Sequence, residues 1–152
     1  MLSLELALVL RAAGLAWKPA LHDFFVVPNS ELEGRLFVIS DLMADVEQVV
    51  SGQTIAFNGA VEWSLDTIML SEVVWMPTEA QLREHLQASL LAEEQPAVIL
   101  ASFNDGYHCQ ISHQGGVHRF EGVEASEAYG LALLFLLGQE LGGRAADGEL
   151  SA

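Results

Sequence analysis

Positive charge is what this sequence has least of. Six lysines and arginines stand against 21 aspartates and glutamates, a formal net charge of −15, and Lys18 is the only lysine. Phosphate backbones are gripped by Lys and Arg through counterion release, so direct nucleic-acid binding is excluded as an expectation. Anionic lipid headgroups are repelled for the same reason. The field favours basic partners or divalent cations, and it also keeps an apolar protein in solution. Cysteine is nearly absent too: Cys109 stands alone, so no internal disulfide framework is possible. The longest apolar run, Leu131 to Leu137, falls far short of the ~20 residues that span a bilayer. Residues 1–10 carry Glu5 and no cation, a poor match to a secretory leader. A cytoplasmic protein without a membrane partner is the expectation.

What is present is apolar. Hydrophobic residues make up 51% of the 152, charged residues 18%, and the mean hydropathy is +0.33. Such a chain has enough apolar matter for a real core. No internal repeat and no clear linker appears. The expected organisation is a single α+β domain over 1–141 and a flexible C-terminal tail over 142–152.

The local signals give an element order of α, about five strands, α, three strands, α. Ser3 caps a first helix over 4–13, closed by Gly14 at the C′ position with Leu15 following. Strands are expected at 24–27, 36–40, 54–57, 60–69 and 72–76, and residues 41–50 fit a strand or a helix. Asn58-Gly59 between apolar neighbours marks a two-residue hairpin turn. Thr78 and Gln81 form a capping box before the stripe Leu82, Leu86, Leu90. Residues 97–103, 107–113 and 117–122 then read as three strands. Asn104-Asp105-Gly106 makes the first turn between them and Gly115-Gly116 the second. A last helix is expected from 124 to 140. Consecutive strands joined by hairpin turns predict antiparallel sheet with helices packed on it.

The order Ala-Gly-Leu-x-Trp (13–17), Phe-Val-Val-Pro (25–28), Ala-Phe-Asn-Gly-Ala-Val-Glu-Trp (56–63) and Val-Val-Trp-Met-Pro-Thr-Glu-Ala-Gln-Leu (73–82) resembles a small, largely uncharacterised bacterial family. Some of its members carry a pilus-assembly label. The resemblance covers residues 1 to about 137 and implies no catalytic motif. The second half is more weakly similar to the phage αβα-sandwich domain, which implies a fold and no activity.

Chemistry-bearing patterns are few. There is no P-loop, dinucleotide fingerprint or nucleophile elbow, and no cofactor is expected. With a Gly115-Gly116 turn, His113 would face His118 across the strands, and two imidazoles on one face offer half of a zinc or copper site. Solvated, titrating hairpin histidines are the plainer alternative. Cys109 is a nucleophile only if His108 or His113 reaches it, and a strand sends His108 to the opposite face. Glu62 and Asp66 stand about 13 Å apart along a strand, too far to share a proton, unless Asp41 or Asp45 closes in. Trp17, Trp63 and Trp75 suggest either core packing or a ligand-lining platform.

The last helix carries the strongest interaction signal. Residues 128–137 show no polar face apart from the Tyr129 hydroxyl. A helix apolar all round needs cover all round. The first helix can supply it from within, or a second chain can, at Leu134, Phe135 and Leu137. The leading functional expectation is therefore a non-enzymatic, acidic protein-binding or assembly module, with a homodimer or another protein as partner. The alternative is a small enzyme or a small-molecule or metal binder using the 108–118 hairpin or a tryptophan-lined pocket. A third possibility is an acidic inhibitor of a basic partner.

Overall fold

A computed structural model describes residues 1–32, 34–40, 45–50, 52–56 and 67–149. Over these described residues the fold is α+β, with three α-helices and three antiparallel three-stranded sheets. The chain divides into two compact units, one of Met1–Leu15 with Thr78–Ala152 and one of Ala16–Pro77. No described helix is long and apolar enough to cross a membrane.

In the first unit the local signals become caps. Helix α1 (Leu4–Ala12) starts where the Ser3 hydroxyl accepts the Leu6 N–H at 3.2 Å. It ends in a Schellman motif: Gly14 takes φ +99°, Leu15 N–H reaches Leu10 O and Gly14 N–H reaches Arg11 O. Helix α2 (Glu79–Ser89) opens on the capping box, with Gln81 N–H on Thr78 Oγ1 and Thr78 N–H on Gln81 Oε1. Its stripe of Leu82, Leu86 and Leu90 is fully buried. Strands β7 (Val98–Phe103), β8 (Gly106–His113) and β9 (Gly116–Gly122) form a meander with β8 in the centre.

Helix α3 (Ala125–Glu149) packs on β8 and β9, on α2 and on α1. Ala128, Tyr129, Ala132, Leu133 and Leu136 are buried. Gly130 permits the close approach of α1, because a Cβ there would lie 2.9 Å from Leu6 Cδ2 and 3.0 Å from Leu2 Cδ1. Internal cover thus accounts for much of this apolar helix, and its backbone runs past the expected end near 140 and through residues 142–149.

Among its described residues the second unit holds six short strands, where about five are expected. The first sheet comprises β1 (Phe24–Val26), β2 (Leu36–Val38) and β6 (Val74–Trp75) in the order β2-β1-β6. The second comprises β3 (Asp45–Val49), β4 (Gly52–Ala56) and β5 (Thr67–Met69) in sequence order. The ambiguous segment 41–50 thus contributes a strand. Ala56 pairs with Thr67, whereas a two-residue turn at Asn58-Gly59 in continuous register would set Val61 opposite Ala56. The expected turn itself, with Trp63, Glu62, Asp66 and Asp41, lies outside the described residues. Phe25, Val27, Leu32, Ile39, Ile55, Ile68 and Val73 form the buried core of this unit, with Trp17 and Phe37 against it.

Candidate functional site: the β8–β9 hairpin and the two faces of its sheet

The hairpin register differs from the expected one. His113 pairs with Gly116 and Ile111 with His118, so the turn is Gln114-Gly115. Both turn residues take positive φ, +51° and +73°, as a type I′ turn requires. Gln114 accepts this conformation because its N–H is held by both oxygens of Glu93, at 3.2 and 3.1 Å. Shifting the turn by one residue keeps His113 and His118 on one face but sets them diagonally, with ring centroids 6.4 Å apart.

That face looks toward α3. Cys109 and Ile111 are fully buried on it. Phe135 lies under the histidines, 4.6 Å from the His118 ring, 6.1 Å from His113 and 5.5 Å from Phe120. Leu134, Phe135 and Leu137, the expected interface residues, are all half-buried. Glu93 approaches His113 from the loop before β7, and its Oε1 lies 2.7 Å from Nδ1. The other imidazole nitrogen, Nε2, is enclosed and makes no hydrogen bond. Nothing local in the sequence marks Glu93, which sits 20 positions from its partner.

His108 stands on the opposite face, so the three hairpin histidines do not converge. Among the described residues no group of three His, Cys, Asp or Glu side chains is placed to hold a metal ion. His113 and His118 remain the two imidazoles on one face. Cys109 is sealed from solvent, and burial pushes its thiol up to about 11. It is therefore protonated near neutral pH and is not an activated nucleophile. Burial also raises the Tyr129 hydroxyl, helped by nearby Cys109 and Glu79.

The outer face is more open. Ile99, Phe103 and Val117 are 53%, 50% and 66% exposed. The His108 ring lies 4.2 Å from Phe103, and the Arg119 guanidinium 5.9 Å over the same ring. Arg119 also contacts His108 Nδ1, while His108 Nε2 lies 3.4 Å from Glu121. Beside this cluster, at the β7–β8 turn, is a shallow cavity of about 290 Å³ lined by Asp105, Tyr107, His108, Glu121, Val123 and Glu127. Gly106 and Gly122 make that corner possible: a Cβ on Gly106 would meet Gly122 O at 2.5 Å.

Trp17 and Trp75 are packed in the second unit. Trp17 and Trp75 stack at 6.2 Å with rings 2° from parallel, and Trp17 Nε1 donates to the buried Asp23 at 2.8 Å. The backbone of Asp45 lies in β3, and its side chain is outside the described set. Compared with known proteins, the chain matches no family model, no curated protein and no solved structure.

Proposed function

We propose that this chain is a non-enzymatic, acidic protein-binding or assembly module that works through the outer face of the β7–β9 sheet. The observation that carries the reading is the exposure of Ile99, Phe103 and Val117 together on that face, around Arg119. Aromatic, aliphatic and Arg side chains clustered in this way are the usual anchors of an interface. The molecule's net charge of −15 would steer basic partners toward it and discourage nucleic acid and anionic membranes. Ile99→Asp with Phe103→Asp tests the reading. Affinity purification from the source cells, followed by quantitative mass spectrometry, should recover a complex with the wild type and lose it with the double variant. Unchanged circular dichroism would show that the fold survives. Equal recovery, or no complex with either chain, refutes the reading.

One observation favours a second reading, a metal or small-molecule binder. Glu93 orients His113 through Nδ1, which leaves an unpartnered Nε2 on the same face as His118. Carboxylate–imidazole pairs of this kind support metal ligands. Zinc uptake measured by native mass spectrometry should be lost in His113→Ala/His118→Ala. No uptake by the wild type ends this reading.

A further inference from the structure

The free edge of β9 offers a partner surface separate from the sheet's outer face. Among the described residues, β9 pairs only with β8. A two-residue turn is closed by hydrogen bonds between its flanking residues, here His113 and Gly116. Alternate residues of β9 then bond to β8. The backbone groups of Val117, Arg119 and Glu121 aim at the open edge instead. Val123, next in the series, fits this phase: Glu127 Oε2, not β8, takes its N–H at 2.9 Å. An unpaired ladder of this kind is a template for another strand.

The side chains along the edge are self-complementary. Placing a second β9 antiparallel to the first, with the two-fold axis at Phe120, sets Arg119 opposite Glu121 of the other copy. The same register sets Val117 opposite Val123, residues that are 66% and 75% exposed. Both matches occur twice by symmetry. The bonding phase is also correct at the central pairs, since Arg119 and Glu121 present backbone groups to the edge; the Val123 N–H is already held by Glu127 Oε2, so Val123 meets Val117 through its side chain and not through that donor. The adjacent in-phase registers fail: centring on Arg119 opposes two guanidiniums, and centring on Glu121 opposes two carboxylates. Opposite charges directly across strands stabilise pairing and like charges oppose it. On a chain with 21 acidic residues and six basic ones, a strand edge with one Arg and one Glu in this spacing lets a second copy meet attraction where most of the charge would repel it.

We propose that two copies of this chain associate through antiparallel β9–β9 pairing centred on Phe120, joining their three-stranded sheets into one of six strands. The inference rests on the binding-module reading and names a second copy as one partner. Such an edge contact is smaller than the ~800 Å² per partner of a standard interface, so the dimer forms reversibly with concentration.

Sedimentation equilibrium from micromolar to submillimolar protein tests it. The wild type should pass from monomer to dimer. Arg119→Glu and Glu121→Arg, both at exposed positions, should each weaken association by about tenfold or more, because every cross-strand charge pair becomes repulsive. Mixing the two variants should restore a dimer, since each then supplies the charge the other lacks. The double variant Arg119→Glu/Glu121→Arg should also dimerise alone. A monomeric wild type at submillimolar concentration overturns the inference, as does a dimer indifferent to either single variant or one not regained on mixing. A monomer that still forms a complex dependent on Ile99 and Phe103 overturns the β9 pairing alone. A monomer with no such complex removes the binding-module reading as well.

Discussion

The two compact units solve the same packing problem in different ways. In the unit that ends the chain, three strands of six, eight and seven residues follow one another in sequence. Each pairs with its neighbour, and helices cover one face. In the unit from Ala16 to Pro77, strands of two to five residues form two separate sheets, and β1 pairs with β6 almost fifty residues later. The first arrangement draws order from local hairpins. The second joins a local β3–β4 hairpin to the non-local β1–β6 pairing, which packs an aromatic cluster of Phe25, Phe37 and Trp17 into the core and carries a larger loop-closure entropy.

The largest expected effect therefore lies in that aromatic cluster. Phe25 is fully buried, stacks 5.4 Å from Phe37 and packs 6.4 Å from Trp17. Phe25→Ala should cost about 3–5 kcal/mol, the range for truncating a buried aromatic. In denaturant melts the midpoint should fall accordingly. In hydrogen exchange, amides of residues 24–26 and 74–75 should lose protection before those of β8. Uniform loss across both units would show that they unfold as one cooperative body, and the contrast drawn above would fail.

Cys109 gives a pH test confined to the other unit. Its thiol titrates near 9.0 when free and at about 11 when buried. Below pH 9 both folded and unfolded chains hold the proton, so the group adds no pH dependence. Between pH 9 and 11 the unfolded chain releases it while the folded chain retains it. Stability must therefore fall as pH rises through that window, by about 2–3 kcal/mol from this group. Cys109→Ala should flatten the fall, with the raised Tyr129 contributing in the same direction. At pH 8, a thiol reagent should label the native protein only at the rate of opening. Immediate labelling would mean that the sheet–helix layer is looser than its burial indicates.

The same contrast explains what was legible in the sequence. Ser3, Gly14-Leu15, the Thr78–Gln81 box and the stripe Leu82, Leu86, Leu90 are local signals, and each became the cap or face it specified. The three strands of the meander were legible because their turns are short. The β8–β9 turn was misplaced by one residue because Gly115-Gly116 looks like the natural site of positive φ. A carboxylate from outside the hairpin holds Gln114 there instead. The pairing of β1 with β6 has no local signature. The histidine face was legible in part: His113 and His118 were correctly placed together, while Glu93 and Phe135 join them only through tertiary structure.

Glu93→Gln is the smallest of these effects and the sharpest test of how a distant side chain sets a local turn. Glu93 ties the loop before β7 to the β8–β9 turn through His113 Nδ1 and the Gln114 N–H. A glutamine keeps the shape but has one acceptor oxygen where the carboxylate has two. An amide oxygen in the Oε1 place still reaches both donors, but the charge and the second contact to the Gln114 N–H are lost, at about 1 kcal/mol. The positive φ of Gln114 loses part of its support at the same time. Gln114→Gly removes the need for that support, because glycine takes positive φ without a Cβ penalty. The double variant Glu93→Gln/Gln114→Gly should thus recover part of the loss, and a double-mutant cycle on thermal melts measures the coupling. Strict additivity would mean that the carboxylate merely satisfies donors and that the hairpin selects its turn unaided. Positive coupling would mean that a residue 21 positions away decides which two residues turn the chain, and thereby which face partner His113 meets.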